Sequence, residues 1–442
     1  MRATLRAGWI RLVHRFAHGV APVVGKLCLP DMSRLEWLRF VPPVPRPLRR
    51  VAAAPVWEPR VPEAPEELRR TPGNPRDPDL EDAAFQERPL HVFVRLHPEA
   101  FAWNLAHMWH ILIPTWPRLA RAQRRAAAVS RGPISAYRRP LPAELTERVR
   151  REAARIGLSA VGFAAYDERY TLAEFAGTHS QGSVIVCVLE QDYAATQTAP
   201  SARAERSAFV AYGALLDRTT RLAEFLRHQG VDAHPHNPAG ETIAIHYGVA
   251  AGLGQMGLNG QLLTPAAGSR ARLAVITTDA ELVHGEPADF GMHAICDRCQ
   301  ACVRRCPVGA IPRQRRPYRG VTKAKIKTER CFPVTAQAEG CAVCMKVCPI
   351  QRYGLDAVRS HLLTHGEILG RGSDELEGYV WPLDGRHYGP TDKPRIDGAA
   401  LLSPRGWRFD AGRTEPADPH ENPSRAPEAS DTRRDHDHAT RV

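Results

Sequence analysis

Eight of the ten cysteines fall in one window, as CDRCQACVRRCP, a lone Cys331, and then CAVCMKVCP. The first run supplies Cys296, Cys299, Cys302 and Cys306. The second group is Cys331, Cys341, Cys344 and Cys348, and Pro307 and Pro349 close the two runs. Eight thiolates in two quartets meet the ligand demand of two [4Fe–4S] clusters. In the C-x2-C-x2-C-x3-C-P spacing the fourth cysteine serves the neighbouring cluster. That rule assigns Cys296, Cys299, Cys302 and Cys348 to one cluster, and Cys331, Cys341, Cys344 and Cys306 to the other. Two residues between thiolates let a tight turn wrap one face of a cubane. The three-residue step with its proline turns the last sulfur away. Two other chemistries compete. Structural zinc favours separate C-x2-C pairs with no proline-closed fourth cysteine, and disulfides favour small secreted domains. Cys331 departs from the pattern, because nine residues separate it from Cys341 where two are usual. The pattern is that of a protein that handles single electrons.

The rest of the chain must position these thiols. Its 442 residues are 43% hydrophobic, enough for two or three domains with a real core. The net charge of +12 gathers in runs at residues 1–60, 118–155 and 313–330. The third run (Arg313, Arg315, Arg316, Arg319, Lys323, Lys325, Lys327 and Arg330 against Glu329) interrupts the cysteine region. It reads either as solvated surface or as a positive collar that steers an acidic electron donor of the ferredoxin or flavodoxin type. No recognition motif supports nucleic-acid binding. The basic, amphipathic N-terminus carries no recognisable export signal, so a cytoplasmic location is expected. The apolar stretch Phe101–Pro117 predicts a core helix, with an interfacial helix making peripheral membrane contact as the alternative.

Residues 1–140 read as a basic, proline-rich N-terminal extension, with compact structure beginning near Leu141. Residues 141–290 alternate helix and strand as an α+β core, and 291–352 hold the cysteines. Residues 353–404 form a C-terminal segment packing on the core, and 405–442 are polar, proline-containing and expected to be disordered. Leu145, Val149, Ala153 and Ile156 share one helical face. LSAVGFAA, SVIVCVLE, VDAHPH and RLAVITTD read as strands, and a long helix covers about 208–229. Cys187 inside the second strand reads as a core thiol.

The stretch AGLGQMGLNGQLLTPAAGSRARLAVITTD (251–279) suggests a partner for the clusters. Gly252, Gly254, Gly257 and Gly260 permit close backbone approach to something flat and large, although glycines also mark ordinary turns. AGLG, the N-G-x-L-L-T-P step at Asn259–Pro265, Gly268 with Arg270 and Arg272, and the strand ending Thr278–Asp279 precede the doubled cysteine motif. Together they resemble the corrinoid-dependent reductive dehalogenases, and more distantly the epoxyqueuosine reductases, over roughly residues 150–352. Met256 and Leu258 stand where the epoxyqueuosine branch has a Trp and a Gly-Lys-Asn. Gln255, Ala266 and Leu258 also depart from the dehalogenase pattern of an acidic residue and an arginine.

The resemblance implies a nitroreductase-like, corrinoid-binding core with an attached ferredoxin-like double [4Fe–4S] domain. It implies cobalamin contacts at Gly252, Gly254, Gly257, Asn259 and Gly260, and reductive removal of halide from a small organic substrate. Electrons would pass from the donor to the second-group cluster, then to the cluster nearer cobalt. Tyr212 is the implied proton donor, with Asn237 as its polar neighbour and one of Arg270 and Arg272 facing the site. Tyr212 also lies on an apolar helical stripe with Leu215, Leu216, Thr219, Leu222, Ala223 and Leu226, where it reads equally as a core aromatic. An epoxyqueuosine reductase-like tRNA-modifying enzyme and a non-catalytic iron–sulfur carrier remain the alternatives.

Overall fold

The computed structural model describes residues 98–396, apart from 138, 172–176, 178, 239–241, 319–320, 328–329, 332–333 and 336–337. The expectations for residues 1–97 and 397–442, the C-terminal tail among them, lie outside the described residues.

Helix α1 (Pro98–Arg131) takes in the stretch 101–117 and runs through Pro114 and Pro117. It packs on the long helix of the core. Ala122 and Ala126 meet Leu216 there, and the Arg125 guanidinium bonds Glu224 at 2.7 Å and Asp217 at 2.9 Å. Compact structure therefore begins well before Leu141, and part of the second basic run is paired with acids on the neighbouring helix. No described helix is long and apolar enough to cross a membrane.

Helix α2 (Pro142–Arg155) starts on a proline at its first turn, where the missing N–H costs nothing, and buries Leu145, Val149 and Ala153. A four-stranded antiparallel sheet in the order β1-β2-β6-β3 comes next, with β1 Ala160–Ala165, β2 Ser183–Glu190, β3 Ala233–Pro235 and β6 Ala271–Thr278. The β2 burial pattern explains its unbroken apolar run, since both sheet faces are covered. Phe163, Ile185, Cys187, Ala274 and Ile276 face α2 and α3 (Ala202–His228). Ala164, Val184, Val186, Leu273 and Val275 face α4 (Ala244–Ala250) and Tyr247. Helix α3 begins earlier than its periodicity predicted. Ser201 caps it by accepting the Ala204 N–H.

The glycine segment forms a two-residue hairpin, β4 (Gln255–Met256) against β5 (Leu262–Leu263). Gln255 secures the approach to the cysteines, accepting the N–H groups of Phe290 (2.9 Å) and Met292 (3.1 Å) and donating to Asp289 (3.0 Å). The cysteines sit on short helices: α5 (Met292–Cys299), α6 (Ala301–Arg305), α7 (Val343–Lys346) and α8 (Pro349–Tyr353). Between the two groups lies the hairpin β7 (Arg316–Tyr318) and β8 (Val321–Lys323). Helix α9 (Leu355–His365) and the segment to Tyr388 bury Leu355, Val358, Ile368, Tyr379, Trp381 and Tyr388 in the same cluster as the cysteines. Residues 353–396 thus pack on the cysteine region, where packing on the α+β core was expected. The buried Arg305 anchors them, donating to the carbonyls of Tyr388 and Asp392 beneath the Tyr379 ring.

Candidate iron–sulfur and proton-donor site

The two cysteine runs are built alike. Gln300 follows Cys299 with φ +53°, and Ala342 follows Cys341 with φ +57°; in the second run Glu339, Gly340 and Cys341 are left-handed as well. The bend aims the next-but-one amide back at the sulfur: Ala301 N–H reaches Cys299, and Val343 N–H reaches Cys341. Other amides converge similarly. Ala310 N–H donates to Cys306 Sγ at 3.3 Å, and Ile350 and Gln351 N–H serve Cys348. All nine described cysteines are free thiols, which removes the disulfide reading for the described residues.

Cys296, Cys299, Cys302 and Cys348 line one partly open pocket with Leu258, Asn259, Leu263 and Val347. This is the quartet, including the crossed-over fourth cysteine, that the spacing rule selects. The other four also lie together: the thiols of Cys331, Cys341 and Cys306 bear on Cys344. Burial is the main cause that pushes the Cys299, Cys302, Cys341, Cys344 and Cys348 thiols up, Cys299 to about 11, with neighbouring sulfurs adding to it. Such a site disfavours bare thiolates and suits a group that brings compensating iron charge. Among the described residues no three His, Cys, Asp or Glu side chains converge on a single ion position. The sulfurs of the first quartet line a pocket instead, and the amide donors around both quartets fit cubane clusters.

Tyr212 and Arg272 meet. The Arg272 guanidinium lies 5.2 Å from the Tyr212 ring centroid and donates to its hydroxyl at 3.3 Å. Two residues that sequence reasoning missed hold it there. Gln191 accepts from Arg272 Nε at 3.0 Å while donating to the Ala204 carbonyl, and Met345 Sδ lies 3.6 Å from Arg272. Met345 follows Cys344, so the pair touches the second cysteine run. Glu205 also belongs to this group. It precedes Tyr212 by two helical turns on α3, and that spacing was a readable signal. Its carboxyl is packed flush on Gly340, where an added Cβ would lie 2.2 Å from Oε2. Burial raises it to about 7 despite the Arg272 charge.

Arg270 and Asn237 have other described surroundings. Arg270 is buried in a structural tie, donating to the Gln191 carbonyl at 3.0 Å and to Glu190 at 3.3 Å, over the Tyr193 ring. Asn237 is half-buried just beyond β3, next to His236, whose N–H bonds Val275.

The glycines serve the chain's own packing. A Cβ at Gly254 would lie 2.0 Å from the Leu263 carbonyl, one at Gly252 2.5 Å from that of Glu286, and one at Gly260 2.6 Å from Ile326. One side of each of these glycines is therefore packed against the chain itself. The bend also grips the cysteine region. Leu258 N–H serves Cys296, and Asn259 Nδ2 donates to the Cys344 carbonyl at 3.4 Å. The basic collar is likewise only partly outward: Arg313 and Lys327 are exposed, whereas Lys323 is buried against His246 at 2.8 Å. The Arg315 side chain is 8% exposed.

Comparison with known proteins agrees with this geometry. A family profile of 4Fe–4S dicluster domains matches residues 295–351, which contain all eight cysteines. A tetrachloroethene reductive dehalogenase of Desulfitobacterium hafniense is 33% identical over 224 residues, covering 46% of this chain and 40% of the relative. An epoxyqueuosine reductase of Synechococcus sp. (strain RCC307) is 36% identical over a shorter 165 residues, covering 36% of this chain and 48% of that protein. The solved catabolic reductive dehalogenase NpRdhA shares the fold at a TM-score of 0.52 and 20% identity, over 72% of this chain and 48% of its own. The chain therefore spans about 40% of the length of the dehalogenase it matches. By sequence it is similar to the reductive dehalogenases and, more distantly, to the epoxyqueuosine reductases, and it carries a 4Fe–4S dicluster domain.

Proposed function

We propose that this chain is an iron–sulfur and corrinoid oxidoreductase of the reductive dehalogenase type, removing halide from a small organohalide. The observation that carries the reading is the Tyr212–Arg272 pair in contact with Met345 of the second cysteine run. A phenol positioned by a fixed cation, next to a source of single electrons, is what a reduction consuming a proton requires. Cys296, Cys299, Cys302 and Cys348 would hold one [4Fe–4S] cluster, and Cys331, Cys341, Cys344 and Cys306 the other. The crossed fourth cysteines bring the two clusters close enough to relay electrons.

Within this reading Tyr212 gives its proton to the reduced carbon, and Arg272 stabilises the phenolate left behind. Gln191 keeps Arg272 in place. A corrinoid, when bound, supplies the metal centre that takes up the relayed electrons. The α+β core would be nitroreductase-like. Gly252, Gly254, Gly257, Asn259 and Gly260 would offer that group backbone contacts from the sides not packed on the chain. The outward part of the basic run, Arg313 and Lys327, would receive an acidic ferredoxin- or flavodoxin-type donor.

Anaerobic purification with added hydroxocobalamin, an absorption spectrum, and iron and cobalt counts test the reading. About eight iron and one cobalt per chain support it. Iron without retained corrinoid points to an electron carrier instead. The match to epoxyqueuosine reductases makes tRNA the second substrate to try; salt-dependent tRNA binding would favour that branch.

A further inference from the structure

Arg315 belongs to the basic run between the cysteine groups, yet it does not face solvent. Its side chain is 8% exposed, and its guanidinium is clamped by the Asp297 carboxylate and the His293 carbonyl. From there it reaches the sulfur of Cys296, which lines the first cavity. Its Nε is buried with no hydrogen-bond partner in the protein. An orphaned buried donor is costly, and a permanent guanidinium charge more so, unless the site holds a negative partner. A thiolate-ligated cubane is such a partner, with sulfurs that accept N–H bonds.

The cations near the other sulfurs are differently employed. Arg304 lies near Cys299 but pairs at 2.7 Å with the wholly buried Glu377. Lys393 donates to the Cys306 carbonyl at 3.0 Å, adjacent in sequence to Asp392. Cys341 is faced by neighbouring thiols and by the Glu205 carboxyl. Asp297, the partner of Arg315, is 58% exposed, so water screens it more than it screens the guanidinium.

We propose that Arg315 is a positioning residue that raises the reduction potential of the cluster held by Cys296, Cys299, Cys302 and Cys348. The inference rests on the assignment of that quartet to a cluster. When such a cluster accepts one electron from the donor, it gains one negative charge. A fixed cation and an N–H donor at its ligand stabilise that reduced form over the oxidised one.

The test is an EPR-monitored redox titration of the full chain, reconstituted anaerobically, in wild type, Arg315→Gln, Arg315→Lys and Asp297→Asn. Cys348→Ser identifies which signal belongs to the first quartet. Arg315→Gln is expected to move that signal alone to a more negative potential, and Arg315→Lys to move it less. Asp297→Asn is expected to move it the opposite way. An unmoved first signal in Arg315→Gln, or equal shifts of both signals, overturns the proposal. If Arg315→Gln loses its clusters, the exposed Asp297→Asn decides, and no shift there overturns it. A wild-type chain that builds no cubane on the first quartet overturns both this inference and the cluster assignment. Two normal clusters with no shift overturn this inference alone.

Discussion

Gln300 and Ala342 occupy the same place in the two cysteine runs, each one residue past a ligand and each in the left-handed region. The sulfurs before them accept the same next-but-one amide. The runs share this turn, which the second enters through left-handed Glu339, Gly340 and Cys341, and their surroundings differ further. The first run meets the glycine bend through Leu258 N–H and meets the Arg315 cation. The second meets α3 through Glu205 at Gly340, and Arg272 through Met345. A repeated motif thus makes two cluster sites of one geometry, while the packed neighbours give each its own electrostatics. Redox proteins are tuned at that second level, by charge and hydrogen bonds around the sulfurs.

Removing the crossing ligands breaks the comparison most severely. Cys306→Ser should damage the cluster built on the second run, and Cys348→Ser the cluster built on the first. Each should cost roughly half of about eight iron atoms per chain by iron analysis. If Cys306→Ser instead erased the signal assigned to Cys296, Cys299 and Cys302, the crossover would be wrong. Next in size is Tyr212→Phe, expected to lower turnover of an organohalide by about 10²- to 10⁴-fold with iron content unchanged. Wild-type rates in that variant would return Tyr212 to the status of a core aromatic on its apolar stripe.

Glu205→Gln sharpens the difference between the two surroundings. The folded carboxyl titrates near 7, above its ordinary 4.5, so the folded state keeps a proton that the unfolded chain releases. Stability from this group is full below the unfolded value and is lost as pH rises from about 4.5 through about 7. The variant should flatten that stretch of an anaerobic melting-temperature profile, and parallel wild-type and variant profiles would contradict the assignment. The smallest effect is that of Asn259→Ala, which removes the donor to the Cys344 carbonyl and should cost about 1 kcal/mol in denaturant unfolding. A neutral result would mean that the bend is held by its backbone contacts alone.

The long periodic elements were legible. The α2 stripe of Leu145, Val149 and Ala153 and the apolar runs of β1, β2 and β6 fold where their patterns put them, because a helix face or a buried strand writes its period directly into the residues. Less was legible around the site. Arg315 and Lys323 read as surface charge, since a sequence shows a cation without showing what encloses it. The glycines read as a cofactor cradle, and nothing local shows that Leu263, Glu286 and Ile326 pack against them. Gln191 and Met345 carry no motif at all; they matter because β2, α3 and α7 bring them to Arg272.

What the sequence determined by itself was the ligand chemistry. Thiol spacing and the closing prolines are local covalent facts, and the backbone turn they impose wraps a cubane with little outside help. Which charge leans on which sulfur, whether Arg270 or Arg272 reaches the tyrosine, and what fills each glycine were decided only by tertiary structure. Those contacts join residues far apart in the chain, such as Glu205 and Gly340. No local pattern encodes a distance that exists only after the chain has packed.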